Sequence, residues 1–349
     1  MELLPIGGYF GFENNHFNSH VTERSHVESH RKLDLLNQPS SSNRRRYLFN
    51  SLGNALLIYL LNHSTYYRIH IPAYCCSSIS KKLERYHIRF KFYNNEAGLA
   101  LSHSFINNLD GGDLLVVANI FGVMDENLNQ IIELSKNRGV HLVIDSAHSI
   151  AFEAQAQATL YSPRKFIGIP DGGILDTCQS LEIAVSNDKV HQVDLGHLSL
   201  RKAGRISEGY IRFLENEKKI EDAAPCAMSF LSRDIVASFP IEQSIVRRLN
   251  NFSILHTALY SYNDIFSNYH IPRLASPLYY PFLHREGKRI RDSLITMGVF
   301  CPVFWRGIET LPLSMYEKRL LNDCVLLPID HRYGQNHMDL VIDYLRVLI

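Results

Sequence analysis

The sequence is that of an α/β protein: a three-layer α/β/α large domain on a mainly parallel sheet, with a smaller C-terminal α+β domain. Three observations lead there. Short apolar runs alternate with helical stretches from residue 68 to 145, as in chains of parallel strands joined by helices. Polar or unusual residues recur just after the ends of those runs. Beyond about residue 180 the apolar period turns helical, before mixed elements return in the tail.

Residues 1–45 are polar and irregular and read as an N-terminal arm with little core of its own. At Asn50 the pattern changes. Asn50 and Ser51 are good N-cap residues, and Ala55 to Leu61 reads as a buried helix. Arg68 to Ala73 is expected as a strand, Ser77 to Tyr86 as a helix, and Ile88 to Tyr93 as a strand. The turn Asp110-Gly111-Gly112-Asp113 feeds a strand Leu114 to Ile120. Glu126 to Lys136 follows as a helix and His141 to Asp145 as a buried strand. The large domain is placed at 46–235 and the small domain at 236–349. In the latter region come helices near Ile241 to His256, Arg285 to Met297 and His337 to the end, with strands Val299 to Trp305 and Cys324 to Pro328.

The 349 residues suffice for two domains, and 46% apolar with 20% charged residues is ordinary for a globular chain. A net charge of +1 points to neither nucleic acid nor an acidic membrane. The six cysteines form no Cys-x-x-Cys pair, which suits a reducing compartment. No apolar run is long enough to span a bilayer. The start lacks a basic stretch before an apolar one, so no signal peptide is expected and a cytoplasmic location is.

Polar clusters follow the strand ends at Tyr74-Cys75-Cys76, Asn119 with Phe121-Gly122, Asp145 with His148, and Ser162 with Lys165. Open parallel sheets bind ligands in the crevice at that rim. Asp145 ends an apolar strand, and Lys165 follows about a strand and a turn later, ahead of Gly172-Gly173. That spacing suits pyridoxal phosphate (PLP): the lysine makes the imine, and the aspartate keeps the pyridine nitrogen protonated. Asp145 alone could equally cap a turn. Ala147 is small, as a residue packed against a flat ring must be. His148 could meet the ring hydroxyl, orient Asp145, or be a core histidine. Lys165 lies before a largely apolar, turn-rich stretch, where desolvation would lower its pKa. Ser162 is a candidate phosphate ligand or a turn hydroxyl, and Leu52 and Gly53 open a helix whose amides could take a phosphate. Tyr74 and Asn119 complete the candidate cofactor-binding set. The pairs His16/His20 and His26/His30 have metal-ligand spacing, but no carboxylate or thiol completes either set, so no metal is assigned. Arg44, Arg45 and Arg46 read as a solvated run.

Ile6-Gly7-Gly8-Tyr9-Phe10, Ile71-Pro72-Ala73-Tyr74-Cys75, Asn119-Ile120-Phe121-Gly122, Ile144-Asp145-Ser146-Ala147-His148 and Ser162-Pro163-Arg164-Lys165 through Gly173 occur in this order. With Val303-Phe304-Trp305 and Leu326-Leu327-Pro328-Ile329-Asp330, they resemble the fold-type I PLP enzymes. More narrowly, they are similar to the sugar aminotransferases of the DegT type. The resemblance covers most of the length, as a divergent match. It implies a homodimer with active sites at the subunit interface. It implies transfer of an amino group from glutamate to the ketone of a nucleotide-linked sugar, in polysaccharide or antibiotic-sugar synthesis. In it, Asp145 matches the residue that binds the pyridine nitrogen, His148 the one near the ring hydroxyl, and Lys165 the cofactor-bearing lysine. Two departures stand out. Leu52-Gly53 replaces the family's small residue followed by Thr or Arg, and Ser162 lies closer to the lysine than usual. The same residues would also serve a PLP enzyme of another reaction type, such as a dehydratase or decarboxylase, or a non-catalytic relative.

Overall fold

The computed structural model describes residues 5–13, 43–63, 68–150, 156–182, 193–266 and 274–349. His16, His20, His26 and His30 lie outside the described residues. A seven-stranded sheet has the order β2-β8-β7-β6-β5-β3-β4. Its strands are β2 (Arg45–Phe49), β3 (Ile69–Pro72), β4 (Lys91–Tyr93), β5 (Leu114–Ala118), β6 (His141–Asp145), β7 (Ala158–Tyr161) and β8 (Gly173–Thr177). Only β8 runs against the others. Helices α1 (Leu52–Asn62), α2 (Ser77–Arg85), α3 (His103–Asn107) and α4 (Asp125–Arg138) link the early strands.

Leu114 to Val117 and Val143 to Ile144 are fully buried. Each such aliphatic side chain contributes about 1.5–3 kcal/mol when taken out of water. α1 is apolar around most of its circumference and is buried accordingly, with Ser51 Oγ accepting the Asn54 N–H at 3.2 Å as its cap.

Helices α5 (Gly196–Lys202), α6 (Ile206–Asp222), α7 (Phe230–Ser238) and α8 (Ile241–Leu259) follow. The C-terminal part holds β9 (Tyr279–Leu283), α9 (Gly287–Thr296), β10 (Val299–Phe300), α10 (Met315–Asp323), β11 (Cys324–Pro328) and α11 (Gln335–Leu348). Here β9 pairs antiparallel with β11, and α8, α9 and α11 share an apolar core with them. The sequence-derived cuts at 45/46 and 235/236 fall inside β2 and α7.

Several expectations change. The strand expected over Val299–Trp305 stops at Phe300, because the chain then turns and Trp305 takes a positive φ of 60°. That over Ile88–Tyr93 starts only at Lys91, after His87 turns at φ 55°. That over Leu114–Ile120 ends at Ala118, where Ile120–Gly122 forms a 3₁₀ turn. The arm is not free of core: β1 (Ile6–Gly7) pairs with β10, and Ile6 is fully buried. Nor are Arg44 and Arg46 solvated. Both bind the buried Asp176 carboxylate, Arg46 Nε at 2.9 Å, so that β2 is pinned to β8.

Six histidines (63, 70, 141, 148, 197 and 337) have pKa values lowered chiefly by burial. The unfolded chain binds protons near the ordinary histidine pKa that the folded chain refuses, so stability rises with pH through that range. The thermal midpoint is therefore expected to be lower at about pH 5.5 than at about pH 7.5. A flat or opposite trend in calorimetry would contradict this account of the buried rings.

Candidate active site

Strands β5, β6 and β7 are parallel neighbours, so their carboxyl ends open on one rim. β6 ends at Asp145, which is 8% exposed and whose Oδ1 accepts the Ala147 N–H at 2.9 Å. After β7 comes Ser162, buried, and then a 3₁₀ turn over Pro163–Lys165. Proline suits the first position of that turn, since its fixed φ matches and no N–H is wasted. Lys165 is half-buried. Burial lowers its pKa, opposed by Cys76 and Asp145. Burial raises that of Asp145, opposed by Lys165 and the Ala147 amide. The two groups thus lie in one electrostatic site.

His148 joins them. Its Nε2 is 2.9 Å from Lys165 Nζ, and its Nδ1 accepts the Phe121 N–H at 3.0 Å. Burial above all, and the lysine beside it whenever that amine is charged, hold the imidazole well below its usual pKa. Aromatic rings cover it: Trp305 stacks on it at 5.4 Å and Phe304 at 5.0 Å. Trp305 also meets Tyr74 edge-on at 4.9 Å, and Phe304 lies 5.6 Å from Lys165 Nζ. The C-terminal turn therefore closes on residues of the sheet rim. Its signal in the sequence was slight, although Trp305 is the chain's single tryptophan.

Other supports were not legible. Arg164, beside Lys165, makes a double hydrogen bond to Glu217 of α6. Asp171 accepts the Ser229 N–H at 2.9 Å and the hydroxyls of Ser229 and Ser232, tying the post-lysine loop to α7. Gly122 has φ 77°, and a Cβ there would stand 2.1 Å from the His148 carbonyl oxygen. Gly122→Ala is therefore expected to destabilise the fold by about 1–3 kcal/mol from backbone strain, and by more if the clash cannot relax. An unchanged denaturation midpoint would refute that reading.

Leu52 and Gly53 occupy the first positions of α1, where N–H groups lack intrahelical partners. Gly173 packs on that end so closely that a Cβ would lie 2.2 Å from the Ser51 carbonyl carbon. Lys82, whose side chain passes Gly53, hydrogen-bonds Asn54 Oδ1, and burial lowers its pKa to about 8. Asn119 is committed to the turn: its N–H donates to Asp145 O at 2.8 Å and its Oδ1 accepts the Met124 N–H at 3.1 Å. Tyr74 is buried behind Trp305. Among the described residues no group of three or more His, Cys, Asp or Glu could hold a metal ion. No described helix is long and apolar enough to cross a membrane.

The donor set fits PLP. Asp145 is a buried carboxylate of the kind a ring nitrogen would need, Lys165 an amine with a lowered pKa, Ala147 a small neighbour, and the first N–H groups of α1 would suit a phosphate.

Solved structures share this arrangement of elements. Helicobacter pylori PseC, an aminotransferase involved in the biosynthesis of pseudoaminic acid, aligns over 87% of this chain and 86% of its own, with TM-score 0.59 and 13% identity. A DegT DnrJ EryC1 StrS aminotransferase from Brucella abortus aligns over 87% and 86%, with TM-score 0.58 and 11% identity. The chain has the fold of the DegT-type sugar aminotransferases. DesV of S. venezuelae aligns over 87% and 84%, with TM-score 0.57 and 14% identity. No protein-family model matches the sequence, and no curated protein does. The mainly parallel sheet expected from the alternation of strands and helices is present in this chain, with β8 as its one opposed strand.

Proposed function

We propose that the protein is a PLP-dependent aminotransferase that moves an amino group, from glutamate, to the keto group of a nucleotide-linked sugar. We further infer a cytoplasmic homodimer working in polysaccharide or antibiotic-sugar synthesis. One observation carries the reading: Asp145, His148 and Lys165 converge where β6 and β7 end, in a fold shared with sugar aminotransferases. When bound, PLP supplies an electron sink for breaking bonds at the substrate carbon.

The chain's own groups have the following roles. Asp145 would hold the pyridine nitrogen, as a carboxylate able to form a charge-assisted hydrogen bond to it. Lys165 would hold the cofactor, and its amine would serve as the base or acid for a proton at the substrate carbon. An amine with a lowered pKa is suited to both tasks, because only its uncharged form is a nucleophile or a base. Ala147 leaves room for the flat ring, and His148 approaches its hydroxyl edge. Ser162 and the amides of Leu52 and Gly53 take the phosphate, with Lys82 near that helix end. Tyr74 and Asn119 line the rim, Asn119 through the turn it stabilises. The large unit over 46–235 bears the cofactor, beside the arm over 1–45 and the small unit over 236–349.

The purified protein is expected to be yellow, or to become so with added PLP. Glutamate should then replace the visible band by that of the pyridoxamine form. A protein that takes up PLP but shows no change with any amino donor would count against transamination. One that cannot be reconstituted would count against a PLP enzyme altogether.

A further inference from the structure

The contact between His148 and Lys165 restricts where protons can sit. Two nitrogens 2.9 Å apart share one hydrogen, and His148 Nδ1 is already an acceptor for the Phe121 amide. A neutral imidazole carries one N–H, so its proton is on Nε2. That N–H then needs a lone pair opposite it, and only an uncharged amine has one. The reverse arrangement, an ammonium donating to Nε2, would move the ring proton to Nδ1 and set it against the Phe121 N–H at 3.0 Å. An imidazolium would oppose donors at both ends.

The Phe121 amide is held in place by unusual backbone. Phe121 has φ 58° and Gly122 φ 77°. Gly122 N donates to Asn119 O at 3.1 Å, and Phe121 O accepts the Leu278 N–H at 3.0 Å. Left-handed φ is uncommon for a phenylalanine and is found where surrounding structure imposes it.

We propose that His148 is a positioning residue that keeps the Lys165 amine uncharged, because the Phe121 amide fixes the imidazole proton on Nε2. The catalytic consequence rests on the proposed function; the proton arrangement itself does not. Other groups also face the amine. Asp145 from β6, Cys76 at the start of α2 and Glu217 from α6 favour the ammonium, and Arg164 opposes it. Glu217 is paired with Arg164, and Asp145 with the Ala147 amide, so both anions are partly satisfied elsewhere. Burial favours the uncharged amine, and an Nε2–H donor 2.9 Å away adds to it. The Phe304 ring also faces the amine, at 5.6 Å, and its π-face favours the ammonium.

The test uses the full chain freed of cofactor and labelled with ¹⁵N-histidine. Long-range ¹H–¹⁵N spectra report which ring nitrogen is protonated, and the His148 signals are assigned by their loss in His148→Gln. The expected result is protonation on Nε2 alone, unchanged between about pH 6 and pH 8. A second arm follows the pH dependence of Lys165 modification by trinitrobenzenesulfonate, read by peptide mass. His148→Gln, whose carbonyl can face an ammonium, and His148→Phe, which has no polar atom, are each expected to move the midpoint upward. A shift of one pH unit makes Lys165 about tenfold less reactive at a given pH below the midpoint. A proton on Nδ1 or on both nitrogens would overturn the proposal, as would unmoved midpoints in both variants. The wild-type spectrum decides even if a variant fails to fold. A protein with the Nε2 proton that never takes up PLP defeats the proposed function alone; one that binds PLP at Lys165 with an Nδ1 proton defeats this inference alone.

Discussion

Lys165→Ala is expected to lower turnover by roughly 10⁴-fold or more and to remove the visible band of lysine-linked PLP, while the fold persists. The size follows from chemistry: no other described residue brings an amine to the ends of β6 and β7. Persistence of the fold follows from energetics. The side chain is half-buried and, among the described residues, hydrogen-bonds only His148. Its folded pKa is lowered, so at neutral pH folding works against the charge it carries in the unfolded chain. Deleting the side chain removes that penalty along with one hydrogen bond. Circular dichroism and the melting midpoint should match the wild type while absorbance and turnover vanish. Full activity in the variant would end the assignment of Lys165.

Asp145→Asn is expected to reduce kcat/KM by about 10³-fold, or roughly 4 kcal/mol of transition-state stabilisation. A carboxamide keeps the size of the side chain and can still accept the Ala147 N–H. It cannot offer the negative charge that holds a proton on the pyridine nitrogen. Stability should move the other way. Burial raises the Asp145 pKa, so the folded state disfavours the ionised form at neutral pH. The cofactor-free variant should therefore melt no lower than the wild type, a trade of stability for function common at active sites. A variant that loses stability and keeps its rate would show that Asp145 is a structural residue. The raised pKa also predicts that Asp145 of the cofactor-free protein takes up its proton at a higher pH than an ordinary carboxylate, readable in the ¹³C shift of its carboxyl carbon.

The central strands were legible because β3, β5 and β6 are apolar runs bounded by turn residues, and α1, α2 and α4 carry helical spacing or caps. β8 escaped notice, and β7 was placed only as a strand between Asp145 and Lys165, without bounds. They are short and buried on both faces, so no alternation marks them. β2 was hidden by its arginines, whose partner Asp176 is remote in sequence. Of the candidate site, Asp145, His148 and Lys165 could be picked out by residue type and order. The Phe121 amide could not be, because a backbone group leaves no mark in a sequence. Glu217 also escaped, and Cys76 was marked only as part of the cluster after β3, since their influence on Lys165 runs through space between separate elements.

Residue order was enough to specify a parallel α/β sheet and to line up an aspartate, a histidine and a lysine after successive strands, because strand period and chain direction are local properties. The register that sets His148 Nε2 at 2.9 Å from Lys165 Nζ came from folding, as did the turn that carries Phe304 and Trp305 onto the imidazole. Those contacts join segments far apart in the chain, and distances between such segments depend on how the whole core packs.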